Sequence, residues 1–402
     1  MKASRRSSWI KPGRVGLLLM GLASASAGAD DSKASRIQIQ GFAAQALIGT
    51  SHNNFFGDSQ NDASTEFTEA GLHGAWQVRD NLRVSGQLMY RRAGETDTDG
   101  LRLDYAHVDW RFLQDTAHQT GVRIGKVKIP YGLYNETRDV PFTRPGILLP
   151  QSVYFDNSRS LVLAAPGMFV YGGGLHDWGS TEWSVGAIRP DFDSAAVEYN
   201  FLGNDLPGKL KGQHAFGARF RWDSPSDSTL ALTYANAQAD YAPSALDPFS
   251  AGEVDFSNLM LSVQHRLGPL TLTTEYGQPR VRLRGFGGFL PDSESPAETF
   301  YAQGEWRFAP AWELLVRHDV FYRSRKDRNG RNFEALTGLP AHSMYAHDTT
   351  LGLRWDATPS IMVRAEYHRV NGTAWLPGPD NPALLSRTRE WDMWLLQAAW
   401  RF

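Results

Sequence analysis

Along most of the chain apolar and polar residues alternate with a period of two, in runs bounded by Gly, Pro, Asp, Asn and Ser. The runs cover 37–50, 65–78, 82–93, 101–113, 120–128, 168–177, 181–189, 212–223, 229–240, 253–267, 270–280, 298–309, 312–325, 343–356, 360–371 and 389–402. Period two marks strands whose two faces meet different surroundings. The last run is the plainest, with Trp394, Leu396, Ala398, Trp400 and Phe402 on one face and Met393, Leu395, Gln397, Ala399 and Arg401 on the other. In the first run Ile37 and Ile39 hand over to Phe42, Ala44, Ala46 and Ile48, which predicts a bulge or a shifted start near Gly41.

The links between these sixteen runs alternate in length. Short ones, such as Arg79-Asp80-Asn81, Trp178-Gly179-Ser180, Gly268-Pro269 and Ala357-Thr358-Pro359, are separated by long polar ones at 51–64, 190–211, 281–297, 326–342 and 372–388. One face of the runs is apolar (Leu82, Val84, Leu88; Leu230, Leu232, Tyr234; Leu314, Val316, Val320; Ile361, Val363, Tyr367) and the opposite face carries charge. Trp76, Trp110, Trp222, Trp306, Trp355 and Trp400 gather beside the short links, where an aromatic girdle would meet a membrane interface. An even strand number, alternating loop lengths, an apolar outside and a charged inside predict an all-β fold. The expectation is a 16-stranded antiparallel transmembrane β-barrel with short periplasmic turns and long external loops, in the bacterial outer membrane. The terminal Phe402 fits the signal read by the barrel assembly machinery.

The first residues agree with export. Lys2, Arg5, Arg6, Lys11 and Arg14 precede an apolar stretch from Val15 to Ala23 and a small-residue site at Ala27-Gly28-Ala29. That reads as a signal peptide over 1–29, cleaved near Ala29, leaving one domain over 30–402. The mean hydropathy of −0.40 does not argue against a membrane barrel, because only every second residue faces lipid. Without the signal the chain has 36 Lys+Arg against 43 Asp+Glu, a formal charge near −7, so no nucleic-acid partner is expected. There is no cysteine, which suits folding outside the cytoplasm without a disulfide framework.

The longest connection, 129–167, follows the fifth strand. It is rich in proline and carries Ile147, Leu148, Leu149, Val153, Tyr154, Phe155, Leu161, Val162 and Leu163, out of place on a solvated loop. Its entry, Gly125-Lys126-Val127-Lys128-Ile129-Pro130-Tyr131-Gly132, looks like the Gly-x-x-Lys-x-Pro-x-Gly stretch of the phosphate-selective porin-like group. With the strand count, loop rhythm and terminal Phe, the chain over 30–402 resembles the sixteen-stranded porins of Gram-negative outer membranes. The resemblance implies that this loop folds into the lumen as a constriction and that the barrel is a homotrimer; small residues Gly41, Ala43 and Ala44 would permit close contact.

Strand phase puts Arg83, Arg91, Arg111, Arg123, Arg219, Arg221, Arg266, Arg307, Arg317, Arg323, Arg354 and Arg364 inside, with Glu69, Asp109, Asp223, Glu275, Glu305, Glu313, Asp319, Asp348, Asp356 and Glu366. Twelve cations against ten anions predict a passive diffusion channel for small hydrophilic solutes and ions with a weak anion preference. The expected constriction and selectivity residues are Arg123, Lys126, Lys128, Glu136, Arg138, Asp139, Arg144, Arg219, Arg221, Glu305, Arg317, Asp319, Arg354 and Arg364. Some could instead tie the loop to the wall by ion pairs. Mature lysines number six, few for a phosphate channel, and an oxyanion-specific channel or a non-conducting adhesin or scaffold barrel are the alternatives. Neither Gly-x-Ser-x-Gly nor His-Glu-x-x-His occurs, so catalysis is not expected, nor a metal or cofactor. Gly172-Gly173-Gly174 reads as room for the infolded loop.

Overall fold

A computed structural model describes residues 36–97, 100–203, 206–247, 250–287 and 290–402; the predicted signal over 1–29 lies outside them. The strands are β1 (Ile37–Thr50), β2 (Ser64–Arg79), β3 (Leu82–Ala93), β4 (Leu101–Gln114), β5 (His118–Lys128), β6 (Ala164–His176), β7 (Gly179–Ile188) and β8 (Lys209–Asp223). They continue as β9 (Ser228–Ala242), β10 (Gly252–Leu267), β11 (Leu270–Gly277, resuming as Arg280–Arg284), β12 (Ser293–Pro296, resuming as Glu298–Ala309), β13 (Trp312–Tyr322), β14 (Tyr345–Thr358), β15 (Ile361–Gly372) and β16 (Glu390–Arg401). Each pairs antiparallel with its sequence neighbours, and β1 closes on β16 from Phe42↔Arg401 to Thr50↔Met393. The result is a closed barrel of sixteen strands.

β11 and β12 run further than their alternation suggests. Both are interrupted next to a proline, Pro279 and Pro296, which has no N–H to give to a ladder. Beyond the interruption Arg280–Arg284 pairs with both β10 and Ser293–Pro296, so much of the stretch read as a loop over 281–297 is a hairpin that prolongs the wall. Two other long loops contain short helices, α2 (Ala195–Leu202) and α3 (Arg331–Thr337); a third, α1 (Arg159–Leu163), ends the connection after β5. α2 is started by the Ser194 hydroxyl accepting from Val197 N and stopped by Gly203 at φ 76°.

The apolar face of the alternation is the outer one. Leu72, Leu88, Leu232, Val316 and Tyr367 are exposed, as are Trp76, Trp110, Trp306, Trp355 and Trp400 beside the short turns. All of the phase-assigned charges have inward parity. β1 has no bulge at Gly41: its pairing with β16 is continuous, and the shift against β2 falls between Ala46 and Ile48. The apolar side changes because the inside is apolar there. Ala44 packs with Phe142, Met362 and Ala399, and Ala46 and Ile48 lie in a second interior cluster. Ala44 therefore faces inward and not toward another copy. On the outer face of β1 the Phe402 ring fills the space over Gly41, where a Cβ would come within 2.4 Å of it.

The glycine run in β6 serves the wall and not the loop. A Cβ on Gly172 would meet the Trp183 ring at 2.6 Å, one on Gly173 the Thr181 carbonyl at 2.3 Å, and one on Gly174 the His118 ring at 2.8 Å. These residues let β5, β6 and β7 approach closely.

Candidate functional site

The connection after β5, residues 129–163, lies inside the barrel. Its apolar residues are buried against the inner wall: Leu149, Val153, Tyr154 and Leu161 with Val127, Phe169 and Ile188, and Ile147 and Leu148 with Ile48, Phe67, Phe321, Trp375 and Leu395. Each side chain so buried contributes on the order of 1.5–3 kcal/mol, which explains why a loop of this composition leaves the solvent.

A backbone brought into a lumen must have its N–H and C=O groups met, and the wall supplies partners in a repeated pattern. On β15 the Arg364 guanidinium donates to the carbonyls of Pro141 (2.9 Å), Arg144 (2.5 Å) and Gly146 (2.8 Å). Two residues on, Glu366 accepts from the amides of Ile147 (2.5 Å) and Leu148 (3.3 Å). On β13 Arg317 donates to the Leu148 carbonyl (3.1 Å), and Asp319, again two residues on, accepts from Ser152 N (3.2 Å). Period two sets both members of each Arg-x-acid pair on the inner face, one for carbonyls and one for amides.

Strands on either side hold the rest. Glu275 accepts from Leu133 N (3.1 Å) and from the Tyr154 hydroxyl (2.6 Å). Arg144 pairs with Glu69 at 2.6 Å, and Asp139 with Lys128 at 2.7 Å and with Gln87. Arg91 meets Glu69, Asp97 and Asp156. Burial works against the charge of Asp97, in the loop before β4, but Arg91 and Arg102 outweigh it and hold its carboxyl at about 2. Gly132 turns in the left-handed region (φ 58°), where a Cβ would lie 2.3 Å from the Tyr154 hydroxyl.

Of the fourteen residues named for selectivity, the structure buries Arg138, Asp139, Arg144, Arg317, Asp319 and Arg364 in these clamps. Lys128 is spent on Asp139 and the Glu136 carbonyl. Lys126 has the parity of the outward Ile124 and donates to the Leu103 carbonyl, so it does not project into the lumen. Arg123, Glu136 and Arg219 come together: Glu136 lies 3.6 Å from Arg123 and 2.7 Å from Arg219, beside Asp109, Glu182 and Tyr171. Arg221 and Arg354 pair with Asp223 and Asp356 on their own strands, and Glu305 accepts from the Gln303 side chain at 2.9 Å. The clamping roles of Glu69, Glu275, Glu366 and Tyr154 were not read from the sequence; the Arg-x-acid spacing in phase with the inner face was the available signal.

Beyond Arg317 and Arg364, which hold the segment's backbone, the inward cations that no carboxylate pairs include, among the described residues, Arg83, Arg111, Arg266, Arg323 and Arg401. Arg111 donates to the Asp80 carbonyl, Arg323 to the Ala374 carbonyl, and Arg401 stacks over Phe142 of the infolded segment at 4.3 Å.

No protein-family model and no curated protein matches the chain. Solved structures do. An anion-selective porin from Comamonas acidovorans superposes with a TM-score of 0.58 at 11% identity, over 91% of this chain and 99% of its own. OmpT of Vibrio cholerae gives 0.56 at 11%, over 92% and 99%. The outer-membrane channel DcaP of Acinetobacter baumannii gives 0.56 at 12%, over 91% and 97%. At such identities the likeness is one of fold, and the fold shared is that of outer-membrane barrels.

Proposed function

We propose that the chain is an outer-membrane porin, a passive diffusion channel for small hydrophilic solutes and ions with a weak preference for anions. The observation that carries this reading is the segment 129–163 clamped across the inside of a closed sixteen-stranded barrel. A barrel of that size leaves an aqueous channel unless something fills it, and a segment held by wall side chains sets a fixed bore. The apolar outer face with tryptophans at the short-turn end suits a lipid belt with an interfacial girdle. Export through a signal over 1–29, assembly through Phe402 and a homotrimer belong to the same reading; trimeric OmpT is among the similar structures.

The sign of selectivity follows from the charges that remain free. Arg83, Arg111, Arg266, Arg323 and Arg401 lack carboxylate partners, while Glu275 and Asp319 are buried against the infolded segment and Glu305 remains as the acid without a cation, so the lumen is left positive where water reaches it. The phosphate-specific alternative finds less support, because Lys128, the lysine of the entry motif, is held by Asp139 and a carbonyl. Purified protein in planar bilayers tests the proposal: ohmic single-channel steps and a reversal potential on the anion side in a salt gradient are expected. Cation preference would remove the sign, saturation by phosphate would favour the specific channel, and no conductance at all would favour a scaffold or adhesin barrel.

A further inference from the structure

At the long-loop end a cavity of about 440 Å³ opens behind the infolded segment, lined by apolar groups that include Val162, Phe201, Phe256, Val281, Phe333 and Leu384. Into the same cavity face two guanidinium groups, Arg323 just past β13 and Arg387 in the loop before β16. Among the described residues neither has a carboxylate within ion-pair distance. Arg323 gives one N–H to the Ala374 carbonyl (2.6 Å), and Arg387 gives two to the Asn381 carbonyl (3.0 and 2.5 Å) and has the Tyr199 hydroxyl as a further partner, so donors remain on both, most of them on Arg323. Burial, and then the neighbouring Arg387, push Arg323 down to about 10. A pair of like charges facing one apolar space is costly unless an anion joins them.

Other cations at this end have acids beside them. Arg91 has three, and in a second cleft of about 700 Å³ Arg102 pairs with Asp97, Lys209 pairs with Asp193, and the buried Arg159 lies near Asp104 and Asp139. We infer that the cavity between Arg323 and Arg387 is a binding site for an organic anion with an apolar body, a carboxylate on an aromatic or short hydrocarbon frame. An inorganic ion would leave the apolar lining wetted, and a neutral molecule would leave the cations without a counter-charge. The volume is that of a small-ligand pocket. Only the consequence rests on the channel reading: an anion held above the clamped segment is concentrated at the entrance to the bore.

Calorimetric titration of the detergent-solubilised full chain with 2-naphthoate, 2-naphthamide, acetate and inorganic phosphate is the test. Saturable naphthoate binding is expected, at least about tenfold tighter than the other three, and weakened about tenfold or more in R323Q/R387Q. The wild-type ligand series stands even if that variant fails to fold. Equal binding of naphthoate and naphthamide, preference for phosphate or acetate, or no naphthoate binding would each overturn the site. Bilayer conductance measured on the same preparation separates the two readings, since a conducting barrel that ignores naphthoate loses only the site, and a binding barrel that does not conduct loses only the channel.

Discussion

Four inner-face Arg-x-acid pairs divide into two that bond each other and two that hold the infolded segment, although Arg354 of the first kind and Arg364 of the second are register partners on adjacent strands. Arg221 bonds Asp223 and Arg354 bonds Asp356, each within its own strand, at 2.8 Å. Beside the infolded segment the spacing is the same, but Arg317 with Asp319 and Arg364 with Glu366 turn away from each other and hold foreign backbone. A charged pair facing water satisfies itself, whereas one facing peptide groups splits, because an unmet buried carbonyl or amide costs more than the ion pair is worth. The inner charges that hold the infolded segment are therefore structural, and the water-facing ones are left to act on solutes.

Breaking a clamp should have the largest effect. Arg364→Leu orphans three carbonyls of the infolded segment, at a cost of about 3–5 kcal/mol to loop docking. Single-channel recording should then show larger, noisier conductance and protease should cut within 132–152. Arg354→Leu, with the same spacing on the self-paired side, should cost about 1 kcal/mol or less and leave the loop protected. Equal effects in the two variants would erase the distinction between the two kinds of pair.

Gly146→Ala attacks the same clamp from the loop side. Its Cβ would come within 2.3 Å of Glu366 Oε1 and 2.9 Å of the Leu148 carbonyl, so the carboxylate must leave its amides, a loss of about 1–3 kcal/mol. A lowered unfolding midpoint with a looser loop is expected, and Glu366→Gln in the same chain should add little because the two act through one contact.

The division between the two kinds of pair shows how far the sequence could be read. All sixteen strands were legible because lipid and water stamp opposite faces with opposite chemistry, and that phase also placed the inner-face arginines and acids, whereas Lys126, taken from the loop entry and not from phase, has outward parity. Partners were not legible. Nothing in Arg-x-Glu says whether the arginine meets its own glutamate or Pro141, 223 residues away, since that depends on what fills the lumen. The alternation misled where the inside itself is apolar, at Phe42 to Ile48, and the glycines of β6 answered to Trp183 and not to the loop. Selectivity was sought among the arginines nearest the loop, where burial has silenced most of them.

If the free arginines set the field, removing them should move ion selectivity and little else. Arg83→Gln with Arg266→Gln should shift the anion-to-cation permeability ratio by roughly twofold toward cations. Arg221→Gln, which frees Asp223, should shift it less, and Arg317→Gln should alter the bore before it alters the sign. Reversal potentials in a salt gradient distinguish these outcomes.

The smallest effect belongs to a tie made without any arginine. Asp380, in the loop before β16, accepts from Glu95 N at 3.0 Å and binds that loop to the ones after β1 and β3. Burial, opposed by these backbone amides, raises its carboxyl to about 6. A folded value above the unfolded one means that the docked loops hold the proton more tightly between about pH 4 and 6, so docking strengthens as pH falls through that window and weakens as it rises toward 7. Hydrogen-exchange protection of the Gly57 and Glu95 amides should therefore be greater at pH 5 than at pH 7.5, with Ile147, held by Glu366, unchanged. Asp380→Asn should remove the difference; a pH response that persists in that variant would assign it to another group.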